Sequence, residues 1–200
     1  MKKEAYSNII VLIEDQMQRS VVQRYLECHG YGKGLKYGQY RVRFLQSKKG
    51  VGSGEQFVRQ NYPKEYKEFC KKKNNQNIAL IVVIDADTKT VQERFDQLTN
   101  KGEYYQDQNI AILIPKRNIE SWLAFWSGGT VDESTNYKPR YPDNKTPVIP
   151  SELIEKLQAL ALQSKYLLTD DKPDSLNFAC EQITRLNLLD KTIDDQRQKH

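Results

Sequence analysis

Two apolar runs in this chain end abruptly in acids. Residues 8–13, NIIVLI, are followed by Glu14 and Asp15, and residues 78–84, IALIVVI, by Asp85 and Asp87. Carboxylates in such places do two kinds of chemistry. Crowded together, they repel and raise one another's pKa, which suits a proton carrier near neutral pH. Neutralised instead by a cation, an all-oxygen set favours Mg²⁺ or Mn²⁺, which keep waters and a substrate phosphate in their shell. A structural role competes at each position. Asp15 has the placing of an N-cap for a helix beginning at Gln16, and Asp87 can serve the turn into TKTVQE. Glu14 is a poor N-cap, so the set Glu14, Asp85 and Asp87 favours the chemical reading.

A second group follows a third apolar run. In IPKRNIESW (114–122), Lys116, Arg117 and Glu120 leave NIAILIP (109–115). Glu120 has the chemistry to complete a two-metal site, and Lys116 or Arg117 to hold a phosphate; equally, Glu120 can be a first-turn partner of a helix dipole, with Trp122 in the core. The stretch SKKGVGSGEQ is no P-loop, because it lacks GxxxxGK[ST]. Its glycines do run into a helix start, where free N–H groups beside Lys48 and Lys49 suit a backbone phosphate; a flexible turn with surface lysines competes with that reading.

Several elements must position these residues. The runs at 8–13, 78–84 and 109–115 are continuous and rich in Ile and Val, as in strands buried on both faces. YRVRFLQ (40–46) alternates and predicts an edge or half-exposed strand. Helices are expected at 16–29, stopped by Gly30, and from about Ser53, where Ser53 and Gln56 have capping-box spacing and Pro63 interrupts or restarts the helix. Further helices are expected at 90–102, capped by Thr90, and over IESWLAFW, capped by Asn118. After Trp126 comes a long polar loop to residue 150, then two helices over 151–168 and 174–189, and a terminus expected to fray. Alternating buried strands and amphipathic helices predict an α/β fold: a mostly parallel sheet flanked by helices over residues 1–126, with residues 127–200 a loop and helical extension packed on the same domain. In such a sheet, residues just past the C-terminal strand ends gather along one edge, so the acids share an edge if their strands are neighbours.

Composition narrows the partners. A net charge of +5, with basic clusters at 47–50, 70–73 and 137–145, suits a phosphate-rich partner without requiring one. Three scattered cysteines and two histidines form no CxxC pair and no zinc site, the pattern of free thiols in a reducing compartment. The first apolar stretch is too short for a membrane span or signal peptide, so a cytoplasmic protein is expected, with no membrane partner.

A strand ending in Glu14 and a later one ending in Asp85-x-Asp87 resemble the Toprim domain of topoisomerases, primases, OLD-type nucleases and small ribosomal-RNA-maturing ribonucleases. The resemblance spans roughly residues 8–115. It implies a parallel sheet between helices, Glu14 as general acid or base, and Asp85 and Asp87 as Mg²⁺ or Mn²⁺ ligands. Small Toprim-like proteins of bacterial defence are similar in carrying an acid and a Trp on the helix after the third buried run, as Glu120 and Trp122 stand here. Two positions depart from the family: Asp15 stands where Gly usually follows the Glu, and the D-x-D, often followed by Gly, continues DADTKT, so the site is either divergent, with Asp15 as an added ligand, or inactive. The chain is too short for strand passage or polymerisation. The implied function is metal-dependent phosphodiester hydrolysis of DNA or RNA, in a defence module beside an ATPase.

Other readings stay open. VVIDADTKT is similar to the first motif of haloacid-dehalogenase-type Mg-dependent phosphatases, although Lys89 stands where Thr or Val is expected and the motif comes late in the fold. A receiver domain would use Glu14–Asp15, Asp85 and Lys116, but the SKKGVGSG insertion fits it poorly. A non-catalytic Toprim-like subunit would bind an ATPase or nucleic acid without cleaving anything.

Overall fold

The computed structural model of the chain describes residues 5–31, 41–48, 50, 52–141, 172–186 and 188. Four strands, β1 (Asn8–Leu12), β2 (Arg41–Leu45), β3 (Ile78–Val83) and β4 (Ile110–Leu113), form one sheet in the order β2-β1-β3-β4. Every neighbouring pair is parallel, with Leu12 opposite both Leu45 and Val82. The continuous apolar runs make the buried strands, whose apolar side chains each enter one of two cores; full burial of one Ile, Leu or Val contributes roughly 1.5–3 kcal/mol. β2 alternates exposed and half-buried residues and lies at the edge, as its pattern predicts.

Five α-helices are defined among the described residues: α1 (Gln16–Cys28), α2 (Gly54–Lys72), α3 (Val91–Thr99), α4 (Glu120–Trp126) and α5 (Asp174–Leu186). On one face of the sheet, Met17, Val21, Val22 and Leu26 of α1 pack with Ile9, Val11 and Ile13, together with Trp122 and Trp126 of α4 and Leu176 and Ala179 of α5. On the other, Val58, Tyr62 and Phe69 of α2 and Leu98 of α3 cover Ile10, Leu12 and Leu80. The architecture is the expected α/β one, an all-parallel sheet flanked by helices with a C-terminal helix added.

The capping signals at Ser53 and Thr90 are read correctly: Ser53 accepts from the Gln56 N–H at 3.1 Å, and Thr90 and Glu93 form a reciprocal capping box. Two local expectations are corrected. Pro63 does not interrupt α2, which runs unbroken through it, because Val58, Tyr62 and Phe69 anchor the helix on both sides of the proline. Asn118 does not cap α4 with its side chain; its amide donates to Asn136 Oδ1 at 2.8 Å instead, tying α4 to the following loop. The described part of that loop, read as polar and without strands, carries a 3-10 turn at Lys138–Arg140. The helix expected at 151–168, Lys49 and the terminal segment lie outside the described residues.

Candidate functional site

The chain leaves β1 through α1 towards β2, and leaves β3 through α3 towards β4, in opposite directions. The point between β1 and β3 is therefore the topological switch point of the sheet, where ligands bind in open α/β folds. Glu14 and Asp15 leave one of these two strands and Asp85 and Asp87 the other. The neighbouring strands required by the sequence reading are present.

Two acids meet directly. The Glu14 carboxylate reaches across the strand boundary, and its Oε1 accepts from the Asp85 backbone N–H at 2.6 Å, extending the β1–β3 ladder with a side chain. Gln18, fully buried, holds both acids from the first turn of α1. Its Nε2 donates to Asp85 Oδ1 at 2.9 Å, and its Oε1 accepts from the Glu14 N–H at 2.9 Å. The Gln18 N–H in turn donates to Asp15 Oδ1 at 2.9 Å, so Asp15 is an N-cap of α1 as well as a site acid.

Asp85 is only 1% exposed, and its second oxygen, Oδ2, has no hydrogen-bond donor. What faces that oxygen is the Lys138 ammonium, 3.5 Å away. Burial pushes the Asp85 carboxyl well above the usual range, and Glu14, Asp15 and Glu120 add to this against the opposing field of Lys138. Glu14 is pushed up to about 7, chiefly by burial, with Asp87 and Asp15 adding to it, while the Asp85 N–H and Lys138 pull it down. Acidic neighbours, the cause expected from sequence, are thus secondary to burial. Lys138 itself is held above the ordinary lysine value: burial pulls it down, but Asp85, Glu120, Asp15 and Glu14 together outweigh that.

Glu120 is buried in the first turn of α4, and its charge acts on both Asp85 and Lys138. Asp87 is different. It takes a left-handed backbone (φ 57°), its side chain is 51% exposed, and it pairs with Arg94 Nη2 at 3.3 Å. Arg94, buried on α3, also binds Glu55 at the start of α2 and so locks the D-x-D loop to that helix. Asp87 stands on the rim, within electrostatic reach of Glu14.

Of the basic residues, Lys48 is exposed after β2, and Lys116 and Arg117 are half-buried after β4. The Lys116 ammonium donates to the Lys89 carbonyl. The Gly-rich loop does approach the acids: a Cβ on Gly54, the first residue of α2, would lie 2.6 Å from the Glu14 carbonyl oxygen and 2.8 Å from its Cβ. Only glycine permits this close approach.

Sequence reasoning missed Gln18, Gly54, Arg94 and Lys138. Gln18 was legible as the third residue after a candidate cap, and Lys138 as part of the basic cluster at 137–145; neither pattern names an acid as its target.

The donor set fits a hard divalent cation in chemistry: carboxylate oxygens, a buried Asp85 oxygen without a donor, and an ammonium already drawn to it. As they stand, though, the acids face protein donors, and among the described residues no three His, Cys, Asp or Glu side chains are gathered as a ready cage. Comparison with family models, curated proteins and solved structures finds no match for this chain.

Proposed function

We propose that this chain is a Mg²⁺- or Mn²⁺-dependent nuclease of Toprim type, hydrolysing phosphodiester bonds of DNA or RNA in the cytoplasm beside an ATPase of a bacterial defence module. The observation that carries the reading is the meeting of Glu14 and the buried Asp85 at the switch point of a parallel sheet, with a cation drawn to Asp85. Asp85, Glu120 and Asp15 would hold the metal, with Asp87 joining from the rim on release of Arg94. When bound, the metal supplies a more nucleophilic water and charge stabilisation at the phosphorus. Glu14, with a pKa near 7, carries the proton, a role typically worth about 10²–10⁴-fold in rate. Gln18 fixes the distance between Glu14 and Asp85, and the start of α2, with Lys48 and Lys49, receives a neighbouring phosphate of the same strand.

Cleavage of single- and double-stranded DNA and RNA with Mg²⁺ or Mn²⁺, and with EDTA as control, tests the reading. Asp85→Asn should abolish cleavage and weaken metal binding. Glu14→Gln should abolish cleavage but keep much of the metal affinity. Activity surviving Asp85→Asn would place the chemistry elsewhere. A second reading, the non-catalytic subunit, draws on Lys138: an ammonium in the acidic pocket satisfies Asp85 without any metal. Metal binding without cleavage of any substrate, even with the product of its genomic neighbour added, would favour that reading.

A further inference from the structure

Lys138 lies more than fifty residues from every acid of the site except Glu120 and belongs to no strand end, yet its ammonium sits where the buried acids converge. Its backbone is well anchored. Tyr137 beside it is buried, and the Tyr137 hydroxyl accepts from the Asp132 N–H at 3.1 Å. Asn136 Oδ1 accepts from the Lys138 N–H at 3.0 Å and from the Asn118 amide at 2.8 Å, pinning the turn to the start of α4. The lysine side chain is not anchored in this way. It is 49% exposed, against 1% for Asp85, and its ion pair at 3.5 Å is longer than a charge-assisted hydrogen bond. Such a side chain can swing to solvent by rotamer change while the turn stays in place and the core stays closed.

Electrostatics decides what would displace it. One ammonium leaves Asp85 incompletely served: at 3.5 Å it pairs with Oδ2 but makes no hydrogen bond to it, and that oxygen is buried without a donor. A divalent cation brings twice the charge and accepts the acids' oxygens directly, so it is the better occupant. Two cations cannot both contact Asp85 Oδ2 without strong mutual repulsion in a buried site.

We infer that Lys138 is a tethered counter-ion that occupies the cation seat at Asp85 when no metal is bound, and that a divalent metal must expel it to bind. The inference rests on the metal-site reading proposed above and adds a built-in threshold to it. The tether costs metal affinity in proportion to its own occupancy: a lysine seated for about 90% of the time weakens the apparent affinity roughly tenfold.

The test uses the full chain and Mn²⁺ alone. Mn²⁺ affinity is read from the loss of the free-ion electron paramagnetic resonance signal, for the parent and for Lys138→Gln. In parallel, acetylation of Lys138 by a brief reagent pulse is followed by mass spectrometry with and without Mn²⁺, and Lys64, exposed on α2, serves as the internal reference. The expected results are roughly tenfold tighter Mn²⁺ binding by Lys138→Gln and faster Lys138 labelling when Mn²⁺ saturates the parent. If the parent binds Mn²⁺ but Lys138→Gln binds it no tighter, or if Lys138 stays protected at saturation, the tether is overturned while the metal site stands. If neither folded protein binds Mn²⁺, the metal-site reading falls and the tether with it.

Discussion

At the scale of single residues, the site is governed by burial more than by charge. Glu14 has acids around it, but the largest influence on its carboxyl is loss of water. This gives a stability signature independent of any substrate. An ordinary glutamate carboxyl titrates near 4.5, and that of Glu14 in the fold near 7. Between these values the folded chain holds a proton that the unfolded chain has lost. The unfolded state therefore binds fewer protons, and stability falls as pH rises through this window. The groups facing Glu14 are Asp85, Asp15, Asp87 and Lys138, and Asp85 shifts in the same direction. Without divalent metal, stability should drop between pH 4.5 and 7 by on the order of 1–3 kcal/mol from Glu14 alone. Glu14→Gln should shrink that drop and be more stable than the parent at pH 8, by urea melts in EDTA across this range. An unchanged slope in the variant would mean that Glu14 ionises as freely in the fold as outside it.

At the scale of elements, what was legible in the sequence is what local pattern dictates. Continuous Ile- and Val-rich runs cannot be half-exposed, so the three buried strands and their acid-tipped ends were readable, as was the alternating edge strand. Partnerships set by distant contacts were not. Asp87 reads as a ligand from its spacing to Asp85, but its left-handed backbone and the guanidinium of Arg94 turn it to the rim. Asn118 reads as a cap, but Asn136, eighteen residues on, takes its amide. Pro63 reads as a break because a mid-helix proline leaves a carbonyl, here that of Arg59, without its donor. Packing of Tyr62 and Phe69 offsets that loss, and the helix continues. The cost should still be recoverable: Pro63→Ala restores the N–H and should raise stability by about 1–3 kcal/mol, read from the urea midpoint. The substitution lies two and a half turns from Gly54, so Mn²⁺ affinity should not change. A destabilised Pro63→Ala would show that the ring's own packing outweighs the missing hydrogen bond.

At the scale of the whole molecule, the parallel sheet sorts the positive charge into two ends. Among the described residues, what directly follows a strand lies at the end where the acids are: Lys48 after β2, Lys116 and Arg117 after β4. α2 starts at that end, with Gly54 against Glu14, and runs away from it for 19 residues, about 28 Å at the helical rise. Its last turn carries Lys71 and Lys72, with Lys73 just beyond, so this basic cluster lies at the opposite end. These lysines also have partners already: Lys71 and Lys72 pair with Glu68, and Lys73 with Asp107 at 2.7 Å. Net charge alone cannot distinguish the two clusters, but a substrate phosphate positioned at Asp85 can reach only the first. Neutralising Lys48, Lys49, Lys116 and Arg117 to Gln should therefore weaken nucleic-acid binding and flatten the log–log salt dependence by roughly 0.7–0.9 for each phosphate no longer neutralised. The Lys71, Lys72 and Lys73 triple variant should change the slope by less than about 1, since those side chains do not line the path to the acids. Fluorescence anisotropy with labelled single- and double-stranded oligonucleotides over a salt series measures both slopes. A melting curve for each variant separates weakened binding from impaired folding, which matters for Lys116 because its ammonium also holds the Lys89 carbonyl. A larger slope change in the triple variant than in the quadruple one would put the nucleic acid at the far end of the sheet, away from every carboxylate proposed to cut it.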